Sequence, residues 1–204
     1  MSRGTHAHGM RKNAYMHISH TTGSVLAGGA SNRMGRDKAS LVLDGQSFLE
    51  RLHGMLLGVF AEVAVHGGAV VPTDGVLIPD EMPGEGPVGG LLTAMRVASR
   101  RAVFVASVDT PMLTADVVRM IVEPPVPSDG VRVASAGGRI HPLVAVYGPD
   151  IMSVVERRFD QGERSMMGVI DDAPRVVEVE IDPDAVFNVN TEADYQQLIE
   201  RYGL

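Results

Sequence analysis

Residues 24–38 read SVLAGGASNRMGRDK, a short apolar strand followed at once by a glycine-rich loop. Gly28 and Gly29 lack a Cβ, so the backbone of this loop can approach a ligand closely. Exposed N–H groups in such a turn bind anions. Three cations follow within six residues, namely Arg33, Arg36 and Lys38. The stretch therefore predicts a polyphosphate site at the carboxyl end of the first strand of an α/β sheet.

Two widespread phosphate-binding motifs do not match this loop. The pattern GxxxxGK[ST] fails because five residues separate Gly29 from Gly35 and an arginine follows. The pattern GxGxxG fails as well. A flexible glycine turn with solvated charges is the alternative interpretation, and the complete string with its preceding strand disfavours it.

The rest of the chain alternates apolar strands with amphipathic helices. Strands are predicted at 24–27, 63–65, 76–78, 102–106, 131–135, 143–147 and 176–181. Helices are predicted at 47–60, 91–99, 114–122, 149–159 and 191–203. The run 102–106 is apolar throughout, as in a central strand buried on both faces. This order predicts a three-layer α/β/α sandwich around a mostly parallel, Rossmann-like sheet.

The length of 204 residues fits one domain, which we expect to span residues 23–204. Residues 1–22 hold four of the seven histidines and show no apolar periodicity. We therefore expect this segment to be a disordered tail or one added for expression, outside the folded domain.

Composition excludes several classes of protein. The chain has no cysteine, which excludes disulfides, thiolate metal sites and a cysteine nucleophile, and is compatible with the cytosol. The net charge of -7 comes with no basic face, which argues against a nucleic-acid binder. No apolar run approaches the roughly 18 residues of a membrane span. We expect a cytoplasmic protein that binds neither nucleic acid nor membrane.

The string LAGG-x3-RMG-x-DK resembles the signature of the molybdenum cofactor guanylyltransferase family of nucleotidyltransferases. Further pieces occur in that family's order and spacing: GPVGGL at 86–91, VDTP at 108–111, HP at 141–142, GER at 162–164 and NVNT at 188–191. The resemblance covers roughly residues 23–202 and implies a fold of the nucleotide-diphospho-sugar transferase type. It also implies an enzyme that joins a nucleoside monophosphate from an NTP to a phosphorylated acceptor.

The resemblance assigns catalytic roles to Lys38, Asp109 and Arg33. Asp109 follows the most apolar strand, where a carboxylate faces the ligand crevice, and Mg²⁺ prefers oxygen ligands. In the family the matching aspartate holds Mg²⁺ on the triphosphate, whereas the alternative is a cap of the Thr110-Pro111 turn. Lys38 would neutralise charge on the phosphates, as transfer requires. Arg33 would support the same phosphates, unless it only pairs with Asp37.

The same resemblance implies a set of GTP contacts: Leu26, Ala27, Gly28, Gly29, Lys38, His66, Asp80 and Asp109. The first three would contact the base and ribose through their backbone. His66 departs from the asparagine that the family commonly has, so a purely structural role stays open. Asp80 is either a nucleotide contact or an ordinary loop aspartate.

Acceptor contacts are implied for His141, Asn188 and Asn190. The two asparagines occupy alternate positions of an extended segment, so we expect them to point to the same side. A turn pair before the Thr191 cap is the alternative for them, and a plain strand start is the alternative for His141. The loop at 162–164 would close over the acceptor.

The resemblance thus implies GMP transfer from Mg·GTP to the phosphate of molybdopterin, forming the guanine dinucleotide cofactor and pyrophosphate. LAGG, rather than LAAG, goes with guanine in the family. The implied partners are GTP, the molybdenum cofactor and maturation proteins of molybdenum enzymes. Two alternatives stay open: a cytidylyltransferase or NTP transferase with another phosphorylated acceptor, and a non-catalytic nucleotide-binding module.

Overall fold

The computed structural model describes residues 17–28, 37–68, 76–79, 81–98 and 101–202, and these ranges contain nine short strands and six helices. The strands are β1 (Thr21–Leu26), β2 (Val42–Leu43), β3 (Gln46–Ser47), β4 (Val63–His66), β5 (Val76–Ile78), β6 (Ala102–Ser107), β7 (Gly130–Ala136), β8 (Arg139–Tyr147) and β9 (Arg175–Glu180). The helices are α1 (Phe48–Leu57), α2 (Gly86–Val97), α3 (Ala115–Val122), α4 (Met152–Asp160), α5 (Met166–Asp171) and α6 (Glu192–Tyr202).

Seven strands form one sheet in the order β5-β4-β1-β6-β8-β7-β9, and β2 pairs with β3 in a separate hairpin. All pairs among β5, β4, β1 and β6 are parallel. Strand β8 is antiparallel to both of its neighbours, and β9 is parallel to β7. The expected mostly parallel sheet is confirmed, and the carboxyl ends of β1, β4 and β6 meet at one edge.

Strand β6 divides two apolar cores because its side chains alternate between the faces of the sheet. Phe104 and Ala106 belong to the core packed beneath α1, α3 and α6. Val103 and Val105 belong to the core beneath α2, α4 and α5. All four are fully buried, so the central position predicted for this strand and the three-layer α/β/α architecture are both confirmed.

Local capping signals begin three helices where the sequence predicts. Ser47 and Glu50 form a capping box at the start of α1, and Thr114 accepts a hydrogen bond at the start of α3. The Thr191 hydroxyl accepts from the Asp194 N–H at the start of α6. These caps satisfy backbone donors that have no partner inside the helix.

Some element boundaries differ from the expectation. Helix α2 begins at Gly86, five residues before the predicted start, because Pro87 suits a first helical turn. Residues 149–151 form a 3₁₀ turn before α4, and α5 was not predicted. The six residues of α5 are too few to show a helical period in the sequence.

The folded part begins earlier than the expected boundary at residue 23. Thr21 and Thr22 already pair with Ala102 and Val103 of β6. Ile18 is buried, and its N–H donates to the Val59 carbonyl at 2.8 Å. Residues 17–22 therefore belong to the domain, and the remainder of the predicted tail lies outside the described residues. No helix within the described ranges is long and apolar enough to cross a membrane.

Candidate active site

A cavity of about 690 Å³ opens at the carboxyl ends of the parallel strands. Ligands of open α/β sheets bind at this edge. Its walls are the ends of three strands and the residues after them: Leu26, Ala27 and Gly28 after β1, His66, Gly67 and Gly68 after β4, and Ser107, Val108 and Asp109 after β6. The first turn of α2 closes another side through Gly86, Pro87 and Gly90.

Lys38, Asp109 and Asn190 meet at this cavity although they are far apart in the chain. The Lys38 ammonium donates to the Asn190 Oδ1 at 2.7 Å. It also lies 3.7 Å from the Asp109 Oδ2, and both charged side chains are 17% exposed. A cation, a carboxylate and an amide are thus concentrated where the sequence predicts phosphate chemistry.

The backbone around Asp109 is held by four hydrogen bonds. The Thr110 N–H and hydroxyl both donate to the Ser107 carbonyl, at 3.1 and 2.7 Å. The Asp109 carbonyl accepts from the Val189 N–H at 2.9 Å, and Arg51 Nε donates to the Pro111 carbonyl at 3.0 Å. Thr110 therefore caps this turn, and the Asp109 carboxylate remains directed at Lys38.

Asn190 is fixed by Asp194 at the start of α6. The Asp194 carboxylate accepts from the backbone N–H groups of Asn190 and Thr191, at 2.9 and 2.8 Å. These bonds, led by that from Asn190, hold the pKa of Asp194 below its usual range. Of the two predicted asparagines, Asn190 contacts Lys38, whereas the half-buried Asn188 places its amide oxygen where no described residue bonds it.

The loop after β1 uses part of its backbone within the sheet. The Ala27 N–H donates to the His66 carbonyl at 2.9 Å, and the Leu26 carbonyl accepts from Val108 N–H at 3.1 Å. Gly68 adopts φ +77°, and a Cβ there would lie 3.1 Å from the Ala27 carbonyl oxygen. Gly28 is exposed in the cavity, which keeps it available for the predicted backbone contact.

His66 ends β4 and lines the cavity although it is 2% exposed. Its Nε2 lies 3.3 Å from the Ser24 hydroxyl. This position is compatible with the predicted nucleotide contact. Gly29, Arg33 and Asp80 lie outside the described residues, so their predicted roles stay predictions.

His141 and Leu143 lie on the β8 flank of the site. His141 is half-buried and is not part of the cavity wall, whereas Leu143 is. Burial, and then the nearby Arg139, lower the pKa of His141, so its imidazole is neutral at pH 7. The acceptor role of His141 stays a prediction.

The loop at 162–164 is tied to the cavity wall by Arg164. Its Nε donates to the Glu85 Oε2 at 2.5 Å, and its Nη1 donates to the Phe159 carbonyl at 2.8 Å. The guanidinium also lies 3.9 Å from the centroid of the Phe159 ring. Glu85 directly precedes α2, so this ion pair joins the loop to that wall. A contact across 79 residues leaves no periodic signal in a sequence.

A family model of the MobA-like NTP transferase domain matches residues 23–176, a segment that contains Lys38, Asp109 and the described cavity wall. The chain belongs to this family. Membership makes it a nucleotidyltransferase, which confirms the resemblance carried by the glycine-rich loop. Asn190 lies C-terminal to the matched segment.

Two relatives of this family cover most of the chain. A protein of Mycobacterium marinum, named "Probable molybdenum cofactor guanylyltransferase", is 38% identical over 184 residues, 84% of this chain and 90% of the relative. One of Carboxydothermus hydrogenoformans, with the same name, is 32% identical over 203 residues, 92% of this chain and 99% of the relative. The solved structure of molybdopterin-guanine dinucleotide biosynthesis protein A from Archaeoglobus fulgidus has a TM-score of 0.73 at 21% identity, over 88% of this chain and 97% of that one. That structure confirms the α/β fold.

The donor set of the cavity suits a magnesium ion bound together with a nucleotide. Asp109 is the one carboxylate among the described residues of the wall. The described ranges contain no group of three or more His, Asp or Glu residues that could hold a metal alone. Mg²⁺ is commonly held by one or two carboxylates plus substrate phosphates, so a single carboxylate beside the predicted phosphate site fits that ion.

Proposed function

We propose that the protein transfers GMP from Mg·GTP to the phosphate of molybdopterin, forming the guanine dinucleotide cofactor and releasing pyrophosphate. The observation that carries the proposal is the pair of Lys38 and Asp109, 3.7 Å apart in the wall of the cavity. The guanylyltransferase name of relatives at 32–38% identity supports guanine as the base and molybdopterin as the acceptor.

The cavity offers separate surfaces to the parts of the nucleotide. Apolar side chains of Leu26, Val108 and Pro87 can pack against the base or ribose. The first turn of α2 lines the cavity through Gly86 and Pro87, and the N-terminal end of a helix favours bound anions. We assign the phosphates to Lys38, because a lysine ammonium is a compact point charge that can follow them.

In the reaction, an ionised oxygen of the acceptor phosphate attacks the α-phosphorus, and the bond from the α-phosphorus to the bridging oxygen of pyrophosphate breaks. The acceptor phosphate is already ionised at neutral pH, so no strong general base is required. Lys38 stabilises charge on the transferring group, and Asn190 orients its ammonium. Mg²⁺ held by Asp109 would supply further charge neutralisation on the triphosphate.

We further propose that the reaction takes place in the cytoplasm, which its use of GTP and the absence of cysteine support. Maturation proteins of molybdenum enzymes would then receive the product.

A transfer assay tests the proposal. Purified protein, Mg²⁺ and molybdopterin are incubated with GTP, CTP, ATP or UTP, and pyrophosphate and the dinucleotide product are measured. We expect product with GTP. Preference for CTP would move the enzyme to the cytidylyl branch, and nucleotide binding without pyrophosphate release would favour a non-catalytic module.

Lysine variants link this activity to the site. Lys38→Ala should lower turnover by about two to three orders of magnitude, because one charge-stabilising donor is lost. The chain's other lysine offers the matched control, and Lys12→Ala should keep wild-type turnover. An active Lys38→Ala variant would refute the role of the ammonium.

A further inference from the structure

Strand β8 changes its pairing abruptly beside the cavity. Val133 of β7 pairs with Ala145, but the next β7 residue pairs with His141. Residues 142–144 therefore lie opposite a single step of β7 and form a bulge. Proline is tolerated inside a sheet at such bulges, and Pro142 is the first residue of this one.

The bulge brings an apolar side chain into the cavity. Ala106 and Val144 are the last pair between β6 and β8, and one step further along these strands are Ser107 and Leu143. Both of these residues line the cavity. Leu143 lies on the β8 flank of Asp109, whereas the ends of β1 and β4 lie on the opposite flank. The bulge thus builds the wall on the side away from the predicted base contacts.

A buried hydroxyl group supports the bulge from within the strand. Tyr147 is fully buried, and its hydroxyl donates to the Pro142 carbonyl at 2.7 Å. The structure describes every residue of β6 and β7, and none of them pairs with Pro142 or Leu143. Burial raises the pKa of the Tyr147 phenol, so the group stays protonated and keeps donating.

We infer that Tyr147 is a positioning residue for the acceptor, since its hydroxyl fixes the bulge that holds Leu143 as the apolar wall on the acceptor flank of Asp109. This inference rests on the proposed function and deepens it by naming the surface on which the ring system of the acceptor packs. Correct placement of that ring sets the distance from the acceptor phosphate to the α-phosphorus, on which transfer depends steeply.

Four variants test this assignment: Tyr147→Phe, Leu143→Ala, the double variant and Tyr202→Phe. The last removes a phenol hydrogen bond, 2.7 Å long to Asp184, on α6. For each variant the Kd of Mg·GTP and the kcat/KM for molybdopterin are measured. We expect kcat/KM to fall about tenfold in Tyr147→Phe, with an unchanged Kd for Mg·GTP.

The comparison among variants separates positioning from general destabilisation. The fold-decrease of kcat/KM in the double variant should be smaller than the product of the fold-decreases in the two single variants, because both changes act through one wall. Tyr202→Phe should retain wild-type kcat/KM. Unchanged kcat/KM in Tyr147→Phe and Leu143→Ala, or a raised Kd for Mg·GTP in both, would overturn the assignment.

Hydrogen exchange gives a readout that does not depend on activity. The amides of Ile140, His141 and residues 143–145 should exchange faster in Tyr147→Phe than in the wild type, and not in Tyr202→Phe. Equal exchange rates in Tyr147→Phe and the wild type would overturn the inference that the Tyr147 hydroxyl supports the bulge. A wild-type protein that performs no transfer would instead refute the proposed function and the acceptor assignment with it.

Discussion

The hydrogen bond from Lys38 to Asn190 should control how tightly Mg·GTP binds. The ammonium is 2.7 Å from the Asn190 Oδ1 and 3.7 Å from the Asp109 Oδ2. Asn190→Ala deletes the amide acceptor while the backbone N–H that bonds Asp194 is kept. The ammonium is then free to move onto the Asp109 carboxylate and form a direct ion pair.

The size of this effect follows from the two distances. At an effective dielectric constant of about 20, the attraction between the Lys38 ammonium and the Asp109 carboxylate is about 4.5 kcal/mol at 3.7 Å. At a direct contact of about 2.8 Å it is about 5.9 kcal/mol. The extra attraction of about 1.4 kcal/mol must be overcome when the nucleotide and its metal bind, which corresponds to about a tenfold higher Kd. Because both side chains are 17% exposed, solvent screening reduces this to about three- to tenfold.

Titration calorimetry of GTP in saturating Mg²⁺, at low and at high salt, measures this change. The difference between Asn190→Ala and the wild type should shrink at high salt, because an ion pair is screened. Gln196→Ala is the matched control, since this amide bonds only Glu192 on the exposed face of α6 in the described part of the chain. A Kd within twofold of the wild type at low salt would refute the reasoning.

Three further predictions concern other parts of the molecule. Asp109→Asn should remove most of the Mg²⁺ dependence of GTP binding measured by calorimetry, and an unchanged dependence would place the metal elsewhere. Gly23→Ala should lower the free energy of unfolding in urea by about 1–3 kcal/mol, because a Cβ there would lie 2.7 Å from the buried Phe60 ring; wild-type stability would contradict this. Because the pKa of Asp194 is lowered in the folded state, led by the Asn190 N–H, its contribution to stability is present above about pH 4 and is lost below it. In Asp194→Asn, the free energy of unfolding should therefore vary less with pH below about pH 4 than in the wild type. An unchanged pH dependence would contradict the assignment.

Much of the fold could be predicted because its signals are local. Ser47 and Thr114 begin helices through bonds to residues three positions away, which a sequence displays directly. The apolar run 102–106 marks the central strand for the same reason. Because ligands of open α/β sheets bind at the carboxyl edge, the sequence also places the end of β1 and Asp109 in the site.

The remainder of the site depends on contacts that no local pattern records. Lys38 and Asn190 are 152 residues apart, and they are brought together by the packing of α6 against the sheet and by the hydrogen bond from the Val189 N–H to the Asp109 carbonyl. Leu143 enters the cavity because a bulge shifts the register of β8, an effect that alternation alone does not predict. Thr21 and Thr22 extend β1 although their hydroxyl groups make the segment look polar.

The basic residues of this chain are almost all arginines. Of its 18 basic residues only Lys12 and Lys38 are lysines, and Lys38 alone lies in the described ranges. Arginine keeps its charge at all working pH values, whereas a lysine amine can react once deprotonated. Aldehyde or activated-ester reagents, including dialdehyde derivatives of GTP, should therefore label Lys38 with competition only from Lys12 and the α-amino group. An adduct located at Lys38 by peptide mass spectrometry thus reports whether the site is occupied, and the arginine side chains do not compete for the reagent.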